Sequence, residues 1–368
     1  MNECCRWGFL STAGIGKKNW QAIKLAGNAR LVAVASRSLD SARDFITACQ
    51  RSAPVEELPI ALGSYEELIE RDDLDAVYIP LPTGIRKEWV LKAAAAGKHV
   101  ICEKPCAVDA AELKTMIDAC RDNNVQFMDG VMLMHTERLA RMRPVVDNEI
   151  GDLRRIHSHL SFPSDSEFER TNIRMCSRLE PHGCLGDLGW YNIRIALWAM
   201  NWELPTQVTG RMINKLKRSD SDEAVPVAFA GELFFESGVT ASFYCSFQSH
   251  HQQDVTFSGT DGLVRVPDFV LPIADRKLRF EVVKADFQQE ECNFEMIPVT
   301  HEVITDEDPN SSPTAQETRL FRRFSEIVNS RKLDTFWPEV ALKTQLVLDS
   351  CFHSANNGSA SITTTPAR

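Results

Sequence analysis

The sequence predicts an α/β chain in two parts: an N-terminal doubly wound parallel sheet over residues 1–130, then a C-terminal α+β domain over residues 131–368 built on a large, mainly antiparallel sheet. Three observations carry this expectation. Short apolar runs such as Leu31–Ala35 (LVAVA), Ala76–Pro80 (AVYIP) and His99–Cys102 (HVIC) alternate with helical stretches, as strands buried on both faces do. Beyond about residue 130 the runs lengthen and alternate apolar with polar, the mark of strands with one covered face. A length of 368 residues also exceeds what one core commonly holds.

Each element follows in order. Arg6–Ser11 reads as a strand, and a turn of small residues opens a helix through Trp20 and Ile23. LVAVA is the second strand, followed by helices over Leu39–Cys49 and Tyr65–Arg71, the AVYIP strand and a helix over Arg86–Ala96. HVIC, a helix over Ala110–Asn123 and a strand over Gln126–Asp129 complete the parallel part. Strands are then expected over Arg154–Ser161, Gln207–Met212, Ala228–Phe235, Thr240–Phe247, Asp254–Gly259 and Gly262–Val266, as an antiparallel meander. Turn chemistry at Glu236-Ser237-Gly238 and Gly259-Thr260-Asp261-Gly262 separates them. Helices are expected over Leu185–Met200, Gln316–Asn329 and Val340–Ser354. One face of this sheet should lie against helices, leaving an apolar face for a second subunit.

Composition narrows the function. With 41 Lys and Arg against 51 Asp and Glu, the formal charge of −10 argues against nucleic acid or an anionic membrane as partner. The apolar runs fall short of a membrane span, and the first residues lack the pattern of a secretory signal. Eleven cysteines, odd in number and scattered, form no pair at zinc-knuckle or redox spacing; they read as reduced thiols of a cytoplasmic protein, and no metal site is expected.

Two segments point to a dinucleotide. The turn Ser11-Thr12-Ala13-Gly14-Ile15-Gly16 lies between first strand and first helix, where free backbone amides and the positive helix end suit a pyrophosphate. The usual fingerprint has glycine at its first two sites; Ser11 and Ala13 stand there, with Gly16 at the third. The second strand ends in Ser36-Arg37, without the acid that would hold ribose hydroxyls. A hydroxyl and a guanidinium suit a 2′-phosphate, so NADP(H) is favoured over NAD(H).

Two motifs carry the chemistry. In Gly97-Lys98-His99-Val100-Ile101-Cys102-Glu103-Lys104-Pro105, Lys104 sits at the carboxyl end of a central strand, in the crevice where such folds bind ligands. In Gly186-Asp187-Leu188-Gly189-Trp190-Tyr191, the four-residue spacing puts Asp187 and Tyr191 on one helical face. With the strand end Pro80-Leu81-Pro82-Thr83 and the Gly259–Gly262 turn, these motifs resemble the Gfo/Idh/MocA oxidoreductases, the relatives of glucose–fructose oxidoreductase and inositol dehydrogenase. The tract from Asn172-Ile173-Arg174 to Tyr191 is most similar to the branch of ketosugar reductases and dihydrodiol dehydrogenases.

The resemblance implies a Rossmann domain, an open-faced sheet in the second domain, and dimers or tetramers built through that sheet. It implies cofactor contacts from Ser11–Gly16, Ser36, Arg37, Pro80, Leu81, Pro82, Glu103, Lys104 and Arg174, with Glu103 bracing the loop. The sequence departs from the family where many members carry a His, here Arg86, and where inositol dehydrogenases place a His, here Tyr191. The expected reaction is hydride transfer between NADP(H) and a secondary alcohol or ketone of a sugar, sugar nucleotide or cyclic diol. Tyr191 would exchange the proton, Lys104 would lower the phenol pKa and hold the reacting oxygen, and Asp187 would orient the pair or bind a neighbouring substrate hydroxyl. A regulatory member without activity and a redox-neutral, NAD-using glycosidase are the alternatives. Among weaker candidates, His135 could touch substrate, His157 and His159 alternate along one strand, His250-His251 should end a strand at the surface, and Asp306-Glu307-Asp308 should be a solvated loop.

Overall fold

The computed structural model describes residues 4–364. The first sheet holds six parallel strands, β1 (Cys5–Leu10), β2 (Ala29–Ala35), β3 (Ile60–Leu62), β4 (Ala76–Ile79), β5 (His99–Cys102) and β6 (Phe127–Asp129), in the order β3-β2-β1-β4-β5-β6. Helices α1 (Gly14–Ala26), α2 (Leu39–Ser52), α3 (Tyr65–Ile69), α4 (Thr83–Ala95) and α5 (Ala110–Asp122) connect them. The apolar runs are central strands because both faces are covered; all four residues of β4 are buried. Strand order reverses between β1 and β4, which opens a crevice at their carboxyl ends.

Beyond β6 come α6 (Glu137–Asn148), β7 (Leu153–Ser161), α7 (Ser166–Thr171) and α8 (Trp190–Ala199). Strands β8 (Gln207–Leu216), β9 (Val225–Phe234), β10 (Thr240–Ser246), β11 (Gln252–Gly259), β12 (Leu263–Val266), β13 (Arg279–Glu290) and β14 (Asn293–Ile304) follow. The described chain ends with α9 (Gln316–Ser330), α10 (Phe336–Asn356) and β15 (Ile362–Thr363). The second sheet has nine strands in the order β14-β13-β12-β11-β7-β10-β9-β8-β15. It is not a simple meander: β7 lies at its centre, antiparallel to β11 and parallel to β10.

Four features differ from the sequence expectations. Strands β13 and β14 form a long hairpin in a segment without legible alternation, because most of it projects from the body with both faces exposed. Glu307 is fully buried instead of solvated, and its carboxylate accepts the amides of Glu137 (2.7 Å) and Arg138 (2.8 Å) at the start of α6. The free face of the second sheet is polar, not apolar: Glu232, Ser242, His157, Thr256, Arg265 and Glu281 lie in register across it, alternating with buried residues. Finally, α9 crosses back to the first sheet. Its Phe321 packs edge-on against Trp7 at 5.0 Å, and Trp7 Nε1 donates to Ser325 Oγ at 3.1 Å.

The two sheets meet at a dry ion pair. Arg194 of α8 and Asp129, the last residue of β6, have fully buried side chains with Nη2 and Oδ2 2.5 Å apart. Arg194 Nε also donates to Thr344 Oγ1 of α10 at 2.7 Å, and Trp190 Nε1 to Asp129 Oδ2 at 3.3 Å. Removing one partner leaves an uncompensated buried charge. Arg194→Met alone should therefore cost about 3–5 kcal/mol, and Arg194→Met with Asp129→Leu should recover much of that loss. Urea unfolding of the single and double variants checks both expectations.

Candidate functional site

The crevice begins where β1 meets α1. Ser11 leaves the strand at φ 140°, a conformation strained for any residue with a side chain, and its Oγ accepts the amide of Ala13 at 3.0 Å. No side chain caps α1, its first turn holds no acid, and a Cβ on Gly14 would meet nothing within 4 Å. The helix start at Gly14 thus borders open space, while the Gly16 amide already donates to the Ala13 carbonyl at 2.9 Å. Thr12 and Ser36 bring their hydroxyls to 3.5 Å, and Arg37 is exposed at the end of β2, just before the α2 cap Ser38.

Lys104 lies in the loop after β5, and its neighbour Glu103 is braced. Tyr78 Oη donates to Glu103 Oε1 at 2.6 Å, and the Lys104 amide donates to Oε2 at 3.1 Å. The Lys104 ammonium donates to the Asp187 carbonyl at 2.6 Å and to its Oδ1 at 2.8 Å. Arg174 Nε reaches the other carboxylate oxygen at 2.7 Å. Burial by itself would raise the Asp187 carboxyl, but Arg174 and Lys104 outweigh it and hold the group well below the usual carboxylate range.

Asp187 is not on a regular α-helix. Leu185–Gly189 forms a π-helical turn feeding α8, where the sequence suggests one continuous α-helix. Such widened turns recur at functional sites. Here Gly186 allows the Lys104 loop to come close: a Cβ on it would lie 3.1 Å from Pro105 Cγ and 3.0 Å from His182 Cβ. Tyr191 follows in the first turn of α8, with Lys104 Nζ 4.5 Å from its ring centroid and its hydroxyl donating to Met132 Sδ at 3.5 Å.

The expectation that Lys104 lowers the Tyr191 pKa is corrected by this geometry. Burial, and then the carboxylates of Glu103, Asp187 and Glu317, push the phenol well above its ordinary value. The ammonium stands over the ring face, and its charge is matched by Asp187.

A cavity of about 810 Å³ joins these parts. Of the expected site residues it is lined by Ala13, Gly14, Ile15, Pro80, Leu81, Glu103, Lys104, Arg174, Asp187 and Tyr191. Ser11, Thr12, Gly16, Ser36, Arg37 and Pro82 lie outside that lining. Two lining carboxylates escape a reading of the sequence, Glu180 and Glu317, and Phe162 begins the loop to Arg178 where substrate specificity is expected. Glu317 comes from α9, distant in sequence, and no local pattern marks it; Phe162 opens the loop between β7 and α7.

The histidines sort differently from expectation. His135 is not among the residues lining the cavity: it is half-buried and stacked on Trp337 at 4.5 Å, and its pKa is lowered to about 3 by desolvation and by Arg323 and Arg194. His251 lines the cavity opposite Phe162, while His157 and His159 bond Ser242 and Ser161 on the polar face of the second sheet.

Comparison with known proteins agrees with this layout. Residues 5–131 match the oxidoreductase family with a NAD-binding Rossmann fold, and residues 139–265 match the GFO/IDH/MocA C-terminal domain. A D-xylose 1-dehydrogenase (NADP(+)) of Haloferax volcanii is 29% identical over 96% of this chain and 98% of its own length. The trans-1,2-dihydrobenzene-1,2-diol dehydrogenase of Sus scrofa is 29% identical over 72% of this chain and 74% of its own. Among solved structures, a 3-ketoreductase from Actinomadura kijaniata superposes with a TM-score of 0.77 at 23% identity, covering 95% of this chain and 98% of that one. With both halves of its fold matched in this way, the chain belongs to the Gfo/Idh/MocA family of oxidoreductases.

Proposed function

We propose that this oxidoreductase moves a hydride between NADP(H) and a secondary alcohol or ketone of a sugar, sugar nucleotide or cyclic diol, with residues 1–130 serving the cofactor and residues 131–368 the substrate. The observation that carries the reading is the convergence of Lys104, Asp187 and Tyr191 in a cavity that begins at the start of α1. The uncapped helix start and open space at Gly14 fit a pyrophosphate, and Ser36 with Arg37 fit a 2′-phosphate. The relative from Haloferax volcanii is named for NADP(+), and the one from Sus scrofa for a cyclic diol, which supports both choices.

When bound, the nicotinamide supplies or accepts the hydride. The chain handles the proton and the position of the substrate. Tyr191 keeps its proton because its phenol is raised, so Oη is a proton donor to a carbonyl oxygen under reduction and takes the proton back in oxidation. Lys104 Nζ hydrogen-bonds that same oxygen, and Asp187 fixes the ammonium from one side while Arg174 holds the carboxylate from the other.

The assembly and the compartment belong to the same proposal. The outer hairpin carries Phe287, Phe294 and Met296, each more than half exposed, with the two rings stacked at 6.1 Å. Cross-strand register puts Phe287 and Met296 on the same side as Glu281, continuous with the polar face of the sheet. A second copy laid on that face would cover both, giving a homodimer or homotetramer. The cysteines among the described residues are all free, as suits the cytoplasm.

Three outcomes test these proposals. NADPH should bind more tightly than NADH by at least the roughly 1.5–3 kcal/mol of a charge-assisted hydrogen bond, and Arg37→Asp should erode the difference; equal dissociation constants in fluorescence titrations would remove the cofactor assignment. Tyr191→Phe should slow ketone reduction by about a hundred- to ten-thousand-fold while NADPH affinity holds. The protonated phenol is the donor and its pKa is raised, so ionisation of Tyr191 should not slow reduction between pH 7 and 9. Light scattering at micromolar concentration should find an oligomer that Phe287→Glu with Met296→Glu dissociates; a monomeric unmodified chain would refute the assembly.

A further inference from the structure

The loop that carries Lys104 is gripped from behind by a side chain with no place in the reaction so far. Arg86, in the first turn of α4, is only 3% exposed. Its Nε donates to the Leu81 carbonyl at 2.9 Å, joined there by Nη2. Its Nη1 donates to the Glu103 carbonyl at 2.6 Å and also to the Pro105 carbonyl. One guanidinium therefore holds the residue before Lys104, the residue after it, and the strand-end turn that forms the adjoining cavity wall.

Those acceptors are neutral, so the buried charge needs a carboxylate nearby. Glu180 supplies it. The carboxylate accepts the Thr83 hydroxyl at 2.7 Å and the Thr83 amide at 3.1 Å, and the same hydroxyl lies 3.2 Å from the Pro105 carbonyl. Around it, the Leu179 carbonyl accepts the Gly84 amide at 2.9 Å. A Cβ on Gly84 would lie 1.9 Å from the Arg178 carbonyl oxygen, so no larger residue fits. Burial raises the Glu180 carboxyl, and Arg86 is the leading influence opposing the rise. The segment 174–180 thus reaches Lys104 by two routes: through Arg174 on Asp187, and through Glu180, Thr83 and the loop that Arg86 holds.

We propose that Arg86 is the positioning residue for Lys104 and that Glu180 is its buried counter-charge, the two together fixing the lysine backbone so that its ammonium meets Asp187 and the substrate oxygen. The inference rests on the reading that Lys104 works at the substrate oxygen. Only a planar fork with donors on several sides can bind three carbonyls of two loops at once. A lysine at position 86 would retain the charge and part of the grip.

The test uses the full chain as Arg86→Met, Arg86→Lys and Glu180→Gln. Three quantities are read: NADPH affinity by fluorescence, kinetics with NADP(+) on D-xylose and diols and with NADPH on a panel of keto-sugars, and reductive methylation of Lys104 followed by peptide mass spectrometry. Displacing a reacting group by about an ångström costs on the order of a hundredfold, so Arg86→Met should lose about that factor in kcat. NADPH affinity and substrate KM should change far less, and Lys104 should methylate faster than in the unmodified protein. Arg86→Lys should recover part of kcat, and Glu180→Gln should move kcat and methylation in the same direction as Arg86→Met. If Arg86→Met does not fold, the other two variants decide. Folded variants with unmodified kcat and unmodified Lys104 methylation overturn the proposal. An unmodified protein that binds NADPH and turns over nothing on the panel counts against the functional reading, while methylation still decides the role of Arg86.

Discussion

The structure depends first on the ion pair of Asp129 and Arg194, because it fixes where one sheet stops and the other begins. Both side chains are out of water, so each requires the other. Asp129 ends β6 at the crevice, Arg194 lies on α8, and Thr344 of α10 completes the arginine's bonding. Trp190 donates to the same carboxylate, and the next residue is Tyr191. The phenol is therefore tied to the first sheet by contacts one residue before it and three residues after it on the helix.

Around the cavity the charges are matched by nearby opposites. Asp187 lies between Lys104 and Arg174, and Glu317 pairs with Lys18 at 2.5 Å. A matched ammonium does little to draw a proton from a neighbouring phenol, whereas burial and three carboxylates oppose its loss. The surroundings thus favour the protonated form of Tyr191, and the Lys104 ammonium beside it is engaged by Asp187.

Much of this was legible in the sequence. LVAVA, AVYI and HVIC read as buried strands because continuous apolar runs of that length have few other homes, and Lys104, Asp187 and Tyr191 stood out by strand-end position and spacing. What escaped has physical reasons. The β13–β14 hairpin has no covered face along most of its length, so no alternation records it. Glu307 looks like any acid in a charged loop until the amides of α6 are seen above it. The polarity of the sheet's free face follows from which of two alternating sets faces the helices. The π turn stands where an α turn is expected, and its Gly186 lies against Pro105, a contact 81 positions away in the chain that no local pattern records.

Helix α9 has a consequence for how the molecule is made. Trp7, Phe9 and Tyr78 on the first sheet share a core with Leu320, Phe321 and Phe324, so the dinucleotide half lacks part of its interior until the chain has grown past residue 324. A ribosome-bound chain that has completed β6 still lacks Phe321 and Phe324, the rings that pack on Trp7 and Tyr78. Surfaces left uncovered in this way recruit chaperones or stick to one another. The half that is translated first is thus among the last to close, and synthesis that stalls between the two lobes yields a fragment with an open flank instead of a self-sufficient nucleotide-binding unit.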